Sequence, residues 1–250
     1  DIARYLEPLV IEPKQWDRDG WLFNCLNGTI NLKTGELYKH KRDQCITRRS
    51  PIAYDPDAVS EIWDRCLNDA LDDADAIAFL QRASGYSLTA DYSEEKLFLV
   101  LGPEATGKST VMEALRAAMG DYAVTSDFDA FIKRQGDPGI RNDIARLAGS
   151  RMVCASESED GKHLAEAVVK RLTGGDTITA RFMRQEFFEF EPTFKIWLAA
   201  NHAPRVRDDD SAMWRRIMRV PFERTIPKGK RDPDMKKHLK DPKSGGPAVL

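Results

Sequence analysis

Residues 98–110 read FLVLGPEATGKST: an apolar run stops at Gly102, and Gly107, Lys108 and Ser109 open a helical stripe of Val111, Leu115 and Met119. The spacing G-x-x-x-x-G-K-[ST] is that of a phosphate-binding loop, and it constrains the fold around it. The glycines let backbone N–H groups turn inward on phosphate oxygens, and the following helix adds its N-terminal partial positive charge. A strand before the loop and a helix after it are therefore required, and the sequence supplies both. Lys108 is expected to reach the β- and γ-phosphates of ATP and Ser109 to ligate Mg²⁺, with Gly102, Thr106, Gly107 and Thr110 completing the cradle.

The rest of the chain accommodates such a core. Its 250 residues, 42% hydrophobic and 31% charged, have the composition of a soluble globular protein. No apolar run approaches the roughly 20 residues that cross a bilayer, so no membrane partner is expected. The chain starts at Asp1 without Met or a leader and ends on DPKSGGPAVL, and it reads as an excised fragment. Cys25, Cys45, Cys66 and Cys154 show no metal-ligand or disulfide spacing, and reduced thiols in a cytoplasm are expected. The net charge of −2 carries no global nucleic-acid signature. Locally, Trp214 to Lys240 holds ten Lys/Arg against three Asp/Glu, a basic stretch that also suits a plain solvated face.

Periodicity divides the chain into four parts. Residues 1–56 read as a β-rich leader, with Asn27-Gly28 and Lys33-Thr34-Gly35 marking hairpins. Residues 57–94 read as a helical module, with stripes Ile62, Cys66, Leu67, Leu71 and Ile77, Leu80, Gln81, Ser84. Residues 95–226 alternate strands (Leu97 to Leu101, Met152 to Ser156, Phe194 to Ala200, Ile217 to Phe222) with helices (Lys108 to Met119, Leu164 to Leu172) and a β-ribbon over Ile178 to Phe190. That alternation predicts a mostly parallel sheet covered by helices on both faces. Residues 227–250 form the basic C-terminal segment.

Hydrolysis needs a carboxylate near the metal, normally at the end of a neighbouring strand. In RMVCASESED, Glu157 is the first carboxylate after the apolar run, expected in the metal's outer shell and in water activation; Glu159 is the substitute if the strand ends later. In FKIWLAANHAPRV, the strand delivers Asn201, whose carboxamide could orient water against the γ-phosphate; a turn former is the plain alternative. In SAMWRRIMRVPF, Arg215 and Arg216 precede the last strand, either as surface ion-pair formers or as a guanidinium reaching a neighbour's γ-phosphate.

In order, the phosphate loop, NDIARLAGSRMVCASESEDG, VVKRLTGGDTITARF and FEFEPTFKIWLAANHAPRVRDDDSAMWRRIMRVPF closely resemble the superfamily 3 helicase part of phage and plasmid primase-helicases, over about Leu22 to Lys240. The resemblance implies an AAA+ type P-loop fold, a homohexameric ring with ATP between subunits, and movement on single-stranded or forked DNA in a bacterial host cytoplasm. It also implies a primase domain upstream and 3′ to 5′ polarity. Residue by residue, Gly107, Lys108 and Ser109 match the phosphate and metal contacts, Glu157 the catalytic acid, Asn201 the polar sensor, and Arg216, with Arg215 as close alternative, the finger given in trans. TGGDTITARFMRQEFFEFEP matches the ribbon that grips DNA, with Arg184 and Gln185 near its tip and Arg181 and Lys170 on its approaches.

The loop departs from that family's usual pattern at Pro103, which lacks an N–H, and at Glu104, which brings negative charge toward phosphates. Two other functions fit parts of the sequence. A small-molecule kinase would share the loop but not the ring, and an ATP-gated initiator or helicase-loading scaffold would bind nucleotide without strong unwinding.

Overall fold

The computed structural model describes residues 12, 15–133, 141–157, 161–207 and 209–250. Strands β1 (Leu22–Cys25), β2 (Gly28–Asn31) and β3 (Glu36–Tyr38) form an antiparallel meander. Its first turn is Leu26-Asn27, because Gly28 is already paired with Cys25. A Cβ at Gly28 would stand 2.4 Å from the carbonyl oxygen of Tyr38, so glycine is needed there for strand approach.

Helices α1 (Glu61–Leu71) and α2 (Ala74–Leu88) follow, each started by a side chain that accepts from its first-turn amides: Ser60 for α1, Asp73 for α2. Then come β4 (Leu97–Leu101), α3 (Lys108–Met119), β5 (Ala123–Thr125), α4 (Asn142–Ala145), β6 (Met152–Ser156) and α5 (Glu166–Thr173). The ribbon strands β7 (Ile178–Ala180) and β8 (Phe188–Phe190) pair only with each other, and β9 (Lys195–Ala200), α6 (Ser211–Trp214), β10 (Ile217–Pro221), α7 (Met235–Lys240) and α8 (Gly246–Val249) close the chain.

The main sheet has the order β10-β4-β9-β6-β5, and every pair in it is parallel. Its central strands read as continuous apolar runs because both faces are covered. Alternation then sorts each strand between two cores. Phe98, Val100, Met152, Cys154 and Trp197 join α1, α2, α3 and the leader on one face, while Leu97, Leu99, Val153, Ala155, Ile196 and Leu198 join α5 and the ribbon root on the other. The leader is built into the first of these cores: Phe23 stacks on Tyr122 at 4.4 Å, and the indole of Trp197 donates to Ser87 of α2 at 3.0 Å. The edge strand β5 and the helices α7 and α8 were absent from the periodicity reading. Among the described residues no helix is long and apolar enough to cross a membrane.

Two buried cations fasten the helical module and leader to the edge where β6 and β9 begin. Arg151 donates to the carbonyls of Leu88 at 2.6 Å and Leu22 at 2.8 Å. Lys195 donates to the carbonyls of Thr89 at 2.6 Å and Asp91 at 2.9 Å, beneath the Tyr86 ring. Burial, helped by the Arg151 charge, pushes the Lys195 ammonium down to about 7 from 10.5. Between those values the unfolded chain binds the extra proton, so this group makes stability rise with pH across that window. The unfolding midpoint is expected to gain more from about pH 7 to about pH 9 in the native chain than in Lys195→Met; equal slopes would refute the assignment.

Candidate functional site

The carboxyl edge of the sheet gathers the chemistry. β4 ends at Gly102, whose N–H donates to the Ala200 carbonyl at 3.3 Å, and Glu157 N–H donates to the Ala199 carbonyl at 2.8 Å. These bonds extend the ladder past the strand ends, so the loop, Glu157 and Asn201 leave from adjacent positions on β4, β6 and β9. They surround one cavity of about 390 Å³ lined by Thr106 to Thr110, Glu157 and Asn201. Ligands of open parallel sheets bind at this edge, where neighbouring connections diverge.

The local backbone explains the glycines. A Cβ at Gly102 would lie 1.8 Å from the Phe222 carbonyl oxygen, and Gly107 sits at φ +93. Unlike α1 and α2, α3 has no side-chain cap, so its first amides face the cavity with the helix's partial positive charge. Lys108 Nζ donates to the Gly102 carbonyl and, at 2.6 Å, to that of Pro103. Desolvation lowers its pKa, with the Glu104 charge opposing. Thr106 is buried and its hydroxyl braces the Pro103 carbonyl at 3.1 Å, while Ser109 is exposed at the helix start. Pro103 thus contributes through its carbonyl, and Ala105 adopts φ +57, a left-handed conformation costly for a residue with a Cβ. Uncapped amides, an ammonium, a hydroxyl and a carboxylate around one cavity suit a polyanion and a hard cation. Glu159 lies outside the described residues.

The other expected residues lie elsewhere. Arg215 and Arg216 stand at the start of β10, at the opposite edge of the sheet from the cavity. Arg216 is buried and Arg215 is exposed. The ribbon turns over at residues 181–187, with Arg184 at φ +61 and Arg184 and Gln185 exposed. Arg181 lies over the Phe187 ring at 4.5 Å. Lys170 is on α5 and bound to Asp210 at 2.8 Å, so it is engaged within the fold rather than presented on the ribbon.

Comparison with known proteins adds to this geometry. Residues 2–72 match the family described as "D5 N terminal like", and residues 100–216 match "Family of unknown function (DUF5906)". The chain is 28% identical over 211 residues to "Putative helicase L207/L206" of Acanthamoeba polyphaga mimivirus, which covers 82% of this chain and 22% of that protein. It is 23% identical over 209 residues to "Putative primase C962R" of African swine fever virus, covering 80% and 22%. The likenesses are thus to a D5 N-terminal-like family over the first part of the chain and to viral proteins named as putative helicase or primase. The chain spans about a fifth of the length of these relatives. The fold is also like that of the NrS-1 C-terminal region, with TM-score 0.60 and 14% identity over 80% of this chain and 47% of that one.

The match over 100–216 takes in the loop, Glu157 and Asn201 but stops short of one wall of the cavity. That wall is Ile226 at the end of the core part, with Lys230, Arg231, Asp232 and Met235 from the basic segment, which the sequence reading left without a role. The Ile226 N–H donates to the Ala105 carbonyl at 2.9 Å, tying the segment to the loop. Lys236 and Lys240 pair with Glu113 of α3 at 2.7 and 3.1 Å, and Leu239 is fully buried. The basic stretch is therefore folded onto its own chain. Met235 and Leu239, four residues apart, were the available signal of an amphipathic helix. Cys66 and Asp69 complete the wall from α1. Burial raises the Cys25, Cys66 and Cys154 thiols to about 12, which leaves them poor nucleophiles.

Proposed function

We propose that this chain is the ATP-hydrolysing motor of a replication DNA helicase of superfamily 3, AAA+ in type, acting as a homohexameric ring on single-stranded or forked DNA. The observation that supports it most is the convergence of the Lys108 loop, Glu157 and Asn201 at the ends of adjacent parallel strands around one cavity. The relatives' names carry the nucleic-acid part, and the matched relatives include proteins of large DNA viruses. The expected bacterial cytoplasm thus widens to a viral or mobile genome in any host. A primase domain upstream remains part of the proposal.

In this reading the α3 amides and Lys108 hold the β- and γ-phosphates of ATP. Mg²⁺, which accepts one or two protein oxygens beside phosphate oxygens, would be held by Ser109 with Glu157 near it, and it would offset charge on the phosphates. Glu157 accepts a proton from water as the water oxygen attacks the γ-phosphorus, Asn201 orients that water, and ADP leaves. Arg181, Arg184 and Gln185 on the ribbon contact the strand. The ribbon leads through residues 191–194 into the amino end of β9, away from the cavity at the carboxyl edge, which suits a part that meets DNA away from the nucleotide.

The test is ATPase rate and strand displacement by the full-length protein, with and without single-stranded DNA. DNA-stimulated hydrolysis with unwinding is expected. Glu157→Gln should keep ATP binding and lose about 10²–10⁴-fold in kcat, the range for a positioned acid or base. ATP binding and hydrolysis without displacement would instead favour the loader or scaffold, and phosphate transfer to a small molecule would favour a kinase.

A further inference from the structure

We infer that Glu95 is a positioning residue that holds Arg215 ready for the γ-phosphate of ATP bound to a neighbouring copy, with Arg216 as its buried support. The inference rests on the ATPase reading above and reverses the sequence preference for Arg216. Both guanidinia meet the same oxygen, Glu95 Oε2, at 2.7 Å for Arg215 and 2.9 Å for Arg216.

Their surroundings separate them. The Arg216 side chain is 8% exposed, and that of Arg215 is 63% exposed. Arg216 Nε donates to Thr173 Oγ1 at 3.1 Å and Nη1 to the Ala212 carbonyl at 2.7 Å. Its own carbonyl accepts from Leu97 N–H at 2.8 Å, the first residue of β4. For Arg216 to reach another subunit it would have to abandon these partners and leave buried polar groups unpaired, which is unfavourable. Arg215 needs to leave only its contact with the half-buried Glu95 carboxylate, while its backbone stays anchored by Lys96 Nζ, which donates to the Arg215 carbonyl at 2.9 Å.

Glu95 is placed for this exchange. It adopts φ +53, uncommon for a residue with a side chain, and its N–H donates to the Tyr92 carbonyl at 2.9 Å. The turn brings its carboxylate back over the arginine pair. Adjacent guanidinia repel each other, and one shared carboxylate offsets that repulsion. When Arg215 moves to a γ-phosphate, Glu95 still pairs with Arg216, so no buried charge is stranded. The three residues also lie at the amino edge of the sheet, opposite the cavity of their own chain, so a γ-phosphate that Arg215 meets has to be bound by another copy.

Subunit mixing tests this in the full-length protein. Arg215→Ala is expected to lower kcat by about 10³-fold or more with KM for ATP little changed. Glu95→Ala and the isosteric Glu95→Gln should lower kcat by up to about 10²-fold through misplacement. Either defect should be relieved by mixing with Lys108→Ala subunits, because some interfaces then join an intact cavity to an intact arginine. Mixing Glu95→Ala with Arg215→Ala should restore nothing, since both defects fall on the same side of the interface. Arg216→Ala should lower the melting temperature, and Arg215→Ala should not. Recovery in the Glu95→Ala with Arg215→Ala mixture overturns the inference, as does wild-type hydrolysis by Arg215→Ala. If the wild-type protein shows no ATPase, the functional reading fails first and takes this inference with it, an outcome distinct from the other two.

Discussion

Lys108→Ala is expected to lower kcat for ATP hydrolysis by about 10²–10³-fold, the loss that follows removal of one preorganised group from developing charge. Lys108 stands at the start of α3 with its ammonium against the Gly102 and Pro103 carbonyls, between the strand end and the cavity. Its hydrogen bonds go to the loop itself, and none reaches the two cores. The variant should therefore melt within a degree or two of the native chain, since surface changes away from core features stay within about 0.5 kcal/mol. Circular dichroism during heating, run beside an ATPase assay, separates the two effects. A large drop in melting temperature would show that the lysine braces the loop, and the kinetic loss would then say nothing about phosphate.

The second large effect is on stability. Arg151→Met should destabilise the chain by roughly 3 kcal/mol or more, because two hydrogen bonds from a charged donor, each worth about 1.5–3 kcal/mol, are lost together. The carbonyls of Leu22 and Leu88 would be left without that donor, and the cation would no longer lie over Tyr122 at 4.6 Å. Burial lowers the Arg151 pKa, with the Tyr122 charge opposing. Methionine keeps part of the bulk but supplies no donor. Denaturant unfolding followed by circular dichroism and by tryptophan fluorescence, which includes the buried Trp63 and Trp197, would read the loss. Separate transitions in the variant, where the native chain shows one, would mean that Arg151 carries the coupling between leader and core. An unchanged midpoint would contradict the structure.

Much of the candidate site was legible because its parts are local. The loop is eight consecutive residues, Asn201 directly follows an apolar run, and Glu157 follows one across Ser156 alone. The ribbon was legible for the same reason, as strands close in sequence around a polar turn. What escaped depends on partners far away in the chain. Arg215 and Arg216 are neighbours in sequence with the same side chain, and only Thr173 and Ala212 on one side and solvent on the other tell them apart. The basic segment looked like solvated charge because its counterion is Glu113, more than 120 residues away. Lys170 looked available to DNA because Asp210, its partner, is 40 residues on.

By itself, then, the sequence determined that a phosphate-loop pattern joins a buried strand to a helix, and that strands and helices alternate after it, because glycine conformations, helix starts and apolar runs are set by near neighbours. The tertiary structure decided the rest. It placed β9 between β4 and β6, so that Asn201 and Glu157 meet the loop; it turned the basic segment into a wall of the cavity; and it buried Arg216 while exposing Arg215. Each of these rests on contacts between residues distant in sequence, where free energy comes from burial and charge pairing that no local pattern encodes.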